Sequence, residues 1–79
     1  MFEVYAIKSS SRNYLYIGIT SNFERRFKQH NEGQNRTTKP YAPFILVLKE
    51  IFPDRINARE REKYLKSGIG REYLRSLIN

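Results

Sequence analysis

Two runs rich in β-branched and aromatic residues, 2–8 and 14–19, flank a short polar connector, Ser9-Ser10-Ser11-Arg12. Both runs alternate with the two-residue period of a strand, and the connector has hairpin length. An antiparallel pair at the start of the chain constrains what can follow, because the chain has 79 residues and no cysteine. Neither disulfides nor a thiolate zinc site can staple so short a fold, so stability must come from helices packed on a sheet. Pairing Lys8 with Asn13 would set Tyr5 directly across from Tyr16, with both side chains on one side of the sheet; a one-residue slip would break that arrangement.

After the hairpin, Ser21-Asn22-Phe23-Glu24 has the Ser-x-x-Glu form of a capping box and predicts a helix to about His30. Phe23 and Phe27, one turn apart, form its buried stripe. Arg26 and His30 line one edge of that stripe, whereas Arg25 and Lys28 point elsewhere. Asn31-Glu32-Gly33 ends the helix, with Gly33 just past its C-terminus. Residues 34–43 read as a polar, basic loop carrying Arg36 and Lys39. Residues 44–48 are a continuous apolar run, suited to a strand covered on both faces. Asn57 and Glu60 give a second capping signal, opening a helix whose inward stripe is Ala58, Glu62 and Leu65 and which Gly68 stops. Residues 70–78 form a last helix with Tyr73, Leu74, Leu77 and Ile78 as its apolar side. The expected fold is therefore α+β: one domain over residues 1–79, with a small, mainly antiparallel three-stranded sheet flanked by helices in the order β-β-α-β-α-α.

Lys and Arg number 15 against 8 Asp and Glu, a net charge of +7. That excess favours a polyanionic partner such as nucleic acid. No apolar stretch approaches the ~18 residues that span a bilayer, and the N-terminus lacks the basic and apolar regions of a signal peptide. With no cysteine, which fits a reducing compartment, the expectation is a cytoplasmic chain with no membrane partner.

Glu62 is the residue most in need of a partner, since a glutamate on an inward stripe is rarely buried unless paired or metal-bound. It has two readings: an ion pair with one of the many cations, or a carboxylate holding a hard divalent cation such as Mg²⁺, for which one carboxylate suffices. Taken singly, His30 reads as a structural helix histidine, Arg26 as a solvated cation and Tyr5 and Tyr16 as sheet-packing aromatics. Gly18 reads as a close approach by the following helix. Taken together, a phenol, a guanidinium and a carboxylate suffice for metal-assisted cleavage of a phosphodiester.

The order of these residues resembles the GIY-YIG endonuclease superfamily, specifically its short stand-alone bacterial members, over nearly the whole chain. The family's second motif is intact as Tyr16-Ile17-Gly18. The first reads Glu3-Val4-Tyr5, keeping the tyrosine. The family's helix arginine falls on Arg26, a tyrosine or histidine one turn later on His30, and the metal-binding glutamate on Glu62. A lysine found in some members falls on Ile19. The resemblance implies metal-dependent hydrolysis of one DNA strand, in repair or recombination. One Mg²⁺ or Mn²⁺ would sit on Glu62, and the catalytic set would be Tyr5, Tyr16, Arg26, His30 and Glu62. Tyr16 would orient or deprotonate the water with Tyr5 beside it, Arg26 would hold a phosphate oxygen, and His30 would relay the proton or hold the scissile phosphate. Lys8, Arg12, Arg36 and Lys39 would contact DNA backbone phosphates, and a partner protein would supply specificity. The competing expectation is a non-catalytic or partner-dependent nucleic-acid-binding module of the same fold.

Overall fold

The computed structural model describes residues 1–78; Asn79, the last residue of the expected domain, lies outside the described residues. Strands β1 (Phe2–Ser9) and β2 (Leu15–Thr20) form the hairpin. They are followed by α1 (Phe23–Asn31), a 3₁₀ turn (Lys39–Tyr41), β3 (Phe44–Phe52), α2 (Arg55–Lys66) and α3 (Gly68–Ile78). The sheet order is β2-β1-β3 with both pairings antiparallel, so the expected α+β architecture and element order are present.

The hairpin register differs from expectation by two residues. Lys8 pairs with Leu15, which sets Tyr5 opposite Gly18 and Tyr16 opposite Ile7. The connector is wider than its four polar residues suggest. Ser9 N–H donates to the Tyr14 carbonyl at 3.0 Å, and the Ser9 hydroxyl accepts from Ser11 and Arg12 N–H at 3.2 and 3.0 Å. A two-residue shift preserves the side of the sheet on which each residue sits. Tyr5 and Tyr16 therefore still share a face, as diagonal neighbours with ring centroids 6.2 Å apart. The steric reason lies at Gly18. A Cβ there would stand 2.7 Å from the Tyr5 hydroxyl and 2.8 Å from its Cζ. The glycine makes room for the Tyr5 ring across the hairpin, and not for the following helix.

As the central strand, β1 is covered on both faces. Val4 and Ala6 pack with Ile17 against Ala58, Leu65 and Leu74 of α2 and α3. Tyr5 and Ile7 pack on the opposite face against Phe23 of α1 and Phe44. The expectation that β3 is covered on both faces is not met. β3 is an edge strand whose Ile45, Leu46 and Ile51 are exposed. Its pairing with β1 shifts between Ala6 and Ile7, a bulge that breaks the alternation. An apolar run cannot by itself distinguish a central strand from an edge.

Both capping residues also differ from those expected. Asn22, not Ser21, caps α1, its side-chain oxygen accepting from Arg25 N–H at 3.1 Å. Glu3 adds a second acceptor at the same helix end, taking the Phe23 N–H at 3.0 Å. α1 ends as expected at Gly33, whose φ of 73° is the left-handed conformation of a helix terminus. Asp54, not Asn57, caps α2, accepting from Asn57 N–H at 2.8 Å, and so the helix begins three residues earlier, at Arg55. In α3 the expected apolar side is only partly inward: Leu74 is buried, whereas Tyr73 and Leu77 are exposed. Gly68 opens α3 rather than closing α2; the α2 cap is Ser67.

Candidate active site

β2 has α1 on one side of the sheet and α2 on the other, and residues of both helices line a cleft with it. The cleft measures about 420 Å³, and Tyr16 of β2, Arg26 of α1 and Glu62 of α2 all project into it. Each element is fixed by its own packing. Phe23 and Phe27 stack at 5.2 Å and seat α1, which places Arg26, three residues after Phe23, at the cleft. Arg61 fastens α2 to β3 through a two-pronged ion pair with Glu50, Nε to Oε1 at 2.7 Å and Nη2 to Oε2 at 3.1 Å. That contact, with Ala58 and Leu65 buried below, sets the rotation of α2 and turns Glu62 toward β2.

Tyr5 and His30, expected in the same catalytic set, lie beneath this cleft and are not presented to solvent. Tyr5 is 1% exposed and His30 is 0% exposed. The Tyr5 hydroxyl and His30 Nε2 are 2.9 Å apart, and His30 Nδ1 is 2.8 Å from Thr38 Oγ1. Burial, helped by the neighbouring Tyr16 and Glu62 against the opposing pull of Arg26, pushes the Tyr5 phenol far above the ordinary tyrosine range. Burial and then the Arg26 charge hold His30 below its ordinary value. The Thr38 hydroxyl has the Asn35 carbonyl as its acceptor, which selects the imidazole tautomer with its proton on Nδ1. Tyr5 O–H donates to Nε2, Nδ1–H donates to the Thr38 hydroxyl, and Thr38 O–H points at the Asn35 carbonyl 3.5 Å away. The His30 ring also packs 4.9 Å from the Tyr16 ring. The arrangement is a buried brace that ties the Tyr5–Tyr16 pair to the loop after α1. His30 has both nitrogens engaged inside the protein, so the structure does not place it to hold a phosphate.

Glu62 makes the ion pair of its first reading and also lines the cleft. Its side chain is 15% exposed and lines the cleft, and one oxygen accepts from Lys66 Nζ at 3.0 Å, one helical turn on. A single sheltered hard oxygen facing a water-accessible cleft fits Mg²⁺ or Mn²⁺, which keep several waters and take substrate phosphate as further ligands. Among the described residues no group of three or more His, Cys, Asp or Glu is gathered as a metal cage.

The four cations expected to touch DNA are placed elsewhere. Lys8 donates to the Ser9 and Arg12 carbonyls at 2.9 and 3.3 Å. Arg12 lies 5.8 Å from the centroid of the Tyr41 ring, and Arg36 and Lys39 are exposed in the loop. None of the four lines the cleft, whose cations besides Arg26 are Arg55, Arg59 and Lys66. These were legible in principle. Arg55, Arg59, Glu62 and Lys66 recur at intervals of four, three and four, one face of a helix. Starting α2 at Asn57 left Arg55 outside the helix and hid the stripe. Thr38 and Glu3 carried no such signal, because their partners are remote in sequence.

Residues 1–73 match the model of the GIY-YIG catalytic domain. The chain belongs to the GIY-YIG family. The GIY-YIG match makes it a member of a nuclease family. It is 36% identical over 66 residues to a UPF0213 protein of Vibrio parahaemolyticus, covering 82% of this chain and 61% of that one. It is 45% identical over 53 residues to a UPF0213 protein of Nitratidesulfovibrio vulgaris, covering 66% and 48%. The chain thus spans about half to three fifths of the length of these two relatives. A third UPF0213 protein, from Staphylococcus haemolyticus, is 38% identical over 65 residues and is covered to 78% of its length. The solution NMR structure of a UPF0213 protein from Bacillus halodurans superposes with a TM-score of 0.57 at 32% identity, covering 98% of this chain and 85% of that one. In this GIY-YIG chain the second-motif tyrosine and glycine, Tyr16 and Gly18, and the pair Arg26 and Glu62 are the groups that meet at the β2 edge. The glutamate of its first motif, Glu3, caps α1.

Proposed function

We propose that residues 1–79 form one nuclease domain that hydrolyses a phosphodiester in one strand of DNA, dependent on a single Mg²⁺ or Mn²⁺, in repair or recombination. The observation that carries this reading is the convergence of Tyr16, Arg26 and Glu62, from three separate elements, on one cleft at a sheet edge. In this reading the attacking oxygen of water forms its bond to phosphorus in line with the departing 3′ oxygen. Tyr16 orients that water or takes its proton. Arg26 donates to a non-bridging oxygen as charge spreads in the transition state. Glu62 would hold the divalent cation, which when bound supplies Lewis-acid stabilisation of the leaving oxygen. Tyr5 and His30 act from below by holding the Tyr16 ring in place. Arg55 and Arg59 bind the strand on the α2 side, and Lys8, Arg12, Arg36 and Lys39 provide further phosphate contacts away from the cleft. Such contacts carry little base information, so a partner protein supplies specificity.

The +7 charge supports a protein that acts on DNA, and the reading places it in the cytoplasm; no described helix is long and apolar enough to cross a membrane. A second reading, a binding module of the same fold, is favoured by Lys66 on the Glu62 carboxylate and by Ile19 at the place of the family's lysine. A nicking assay on branched and linear DNA with Mg²⁺ or Mn²⁺ separates the two. Cutting by the wild type that Glu62→Ala abolishes is the expected result. Absence of metal-dependent cutting on every substrate tried would sink the nuclease reading, and DNA binding retained without cutting would favour the binding module.

A further inference from the structure

The charge balance of the cleft is unusual for a place meant to hold a cation. Among the described residues, Arg26, Arg55, Arg59 and Lys66 line it against one carboxylate, Glu62. That carboxylate is itself engaged, since Lys66 Nζ donates to one of its oxygens at 3.0 Å. Lys66 is half exposed and sits one turn further along the same helix, free to swing into solvent by side-chain rotation alone. A free divalent cation entering this cleft meets net repulsion and a ligand already paired with a cation. A phosphate diester meets the opposite: four cations at a sheet edge. Once phosphates are seated, their charge offsets the arginines, their oxygens become additional hard ligands, and Lys66 has a second anion to move to.

We infer that Lys66 is a counter-ion gate on Glu62, so that the cleft admits its divalent cation together with a nucleic-acid phosphate and holds it only weakly before then. This rests on the nuclease reading of the cleft and adds the order in which its ligands assemble. Lys66 is a positioning residue in this scheme: it holds the carboxylate toward the cleft in the empty protein and yields it when phosphate arrives. Reciprocity follows, since whatever factor the nucleic acid adds to metal affinity the metal must add to nucleic-acid affinity.

The test is Mn²⁺ binding followed by electron paramagnetic resonance, on the full chain alone and with branched DNA carrying phosphorothioate linkages, each corrected for Mn²⁺ held by the DNA itself. The wild type is expected to bind Mn²⁺ at least about tenfold more tightly in the presence of DNA, within the range of ordinary coupling between sites. In the DNA-free protein Lys66→Met is expected to bind Mn²⁺ about two- to fivefold more tightly than wild type, the effect of removing one exposed ion pair. Lys63→Met removes the same charge from the same helix but away from the cleft, and is expected to change Mn²⁺ affinity less. Equal Mn²⁺ affinity with and without DNA, or a Lys66→Met protein that binds Mn²⁺ no better than wild type, overturns the gate while leaving the nuclease reading intact. Mn²⁺ binding in the DNA complex that Glu62→Gln does not reduce overturns the metal assignment itself, and the gate with it.

Discussion

Replacing Gly18 with alanine tests the hairpin geometry on which the cleft depends. The added Cβ would lie 2.7 Å from the Tyr5 hydroxyl, 2.8 Å from its Cζ and 3.1 Å from Tyr16 Cε2. Carbon contacts are comfortable at about 3.5–4.0 Å, so the rings must give way by most of an ångström. Tyr5 has little freedom to do so. Its hydroxyl is bonded to His30 at 2.9 Å, and its ring packs edge-on to Phe23 with centroids 5.4 Å apart. Forcing a methyl into such a site costs about 1–3 kcal/mol, and stretching the Tyr5–His30 hydrogen bond adds about 1 kcal/mol. The expected loss is about 2–4 kcal/mol, a fall in Tm on the order of 10–20 °C for a domain of this size. Urea and thermal unfolding followed by circular dichroism read it directly. Tyr5→Phe in the Gly18→Ala background removes the atom in the worst contact, so the double variant should lose about 1 kcal/mol less than the two single losses combined. A Gly18→Ala protein within about 0.5 kcal/mol of wild type would refute the argument that the glycine exists to receive the Tyr5 ring.

Further outcomes are expected elsewhere in the molecule. His30 is held below its ordinary value of 6.5 in the folded state, so the unfolded chain binds more protons and stability should fall as pH drops below about 6.5, by at most about 1.4 kcal/mol per pH unit; unfolding between pH 7.5 and 5 should show this slope flattened in His30→Gln. Glu3→Ala removes the acceptor of the Phe23 N–H and should destabilise the protein by about 0.5–2 kcal/mol in urea titrations, with Glu3→Gln recovering part of the loss. Arg55→Ala with Arg59→Ala should lower the dependence of DNA affinity on salt by about two phosphate contacts and reduce nicking; Arg36→Ala with Lys39→Ala should weaken binding while sparing the rate at saturating DNA, and equal effects of both pairs on that rate would argue against α2 as the strand-binding face.

Local chemistry made part of this protein readable from its sequence. The alternation of residues 2–8 and 14–19 placed Tyr5 and Tyr16 on one face, a result robust to the register because a two-residue slip keeps each side chain on its side. The spacing of Phe23, Phe27 and His30 marked the inward face of α1 because a helix repeats every 3.6 residues. Gly33 marked its end because the backbone there is left-handed. The Tyr16, Arg26 and Glu62 set was legible through the resemblance of its order along the chain to the GIY-YIG pattern.

What the sequence left open were choices between locally equivalent alternatives. Asn22 and Ser21 are both good caps, as are Asp54 and Asn57, and the contacts around each helix end selected between them. That choice decided whether Arg55 joined Arg59, Glu62 and Lys66 on one face of α2. The apolar run of β3 fits a central strand or an edge equally well, and only the crossover that put β1 in the middle chose the edge. His30 and Thr38 are eight residues apart, and His30 and Tyr5 twenty-five, so the buried brace exists only once the sheet and α1 have closed on each other. Residue types and periods are properties of the chain itself, and they determined the elements and the candidate chemistry. Register, edge position and the partner of each buried polar group depend on atoms distant in sequence competing for one space, and tertiary packing alone decided them.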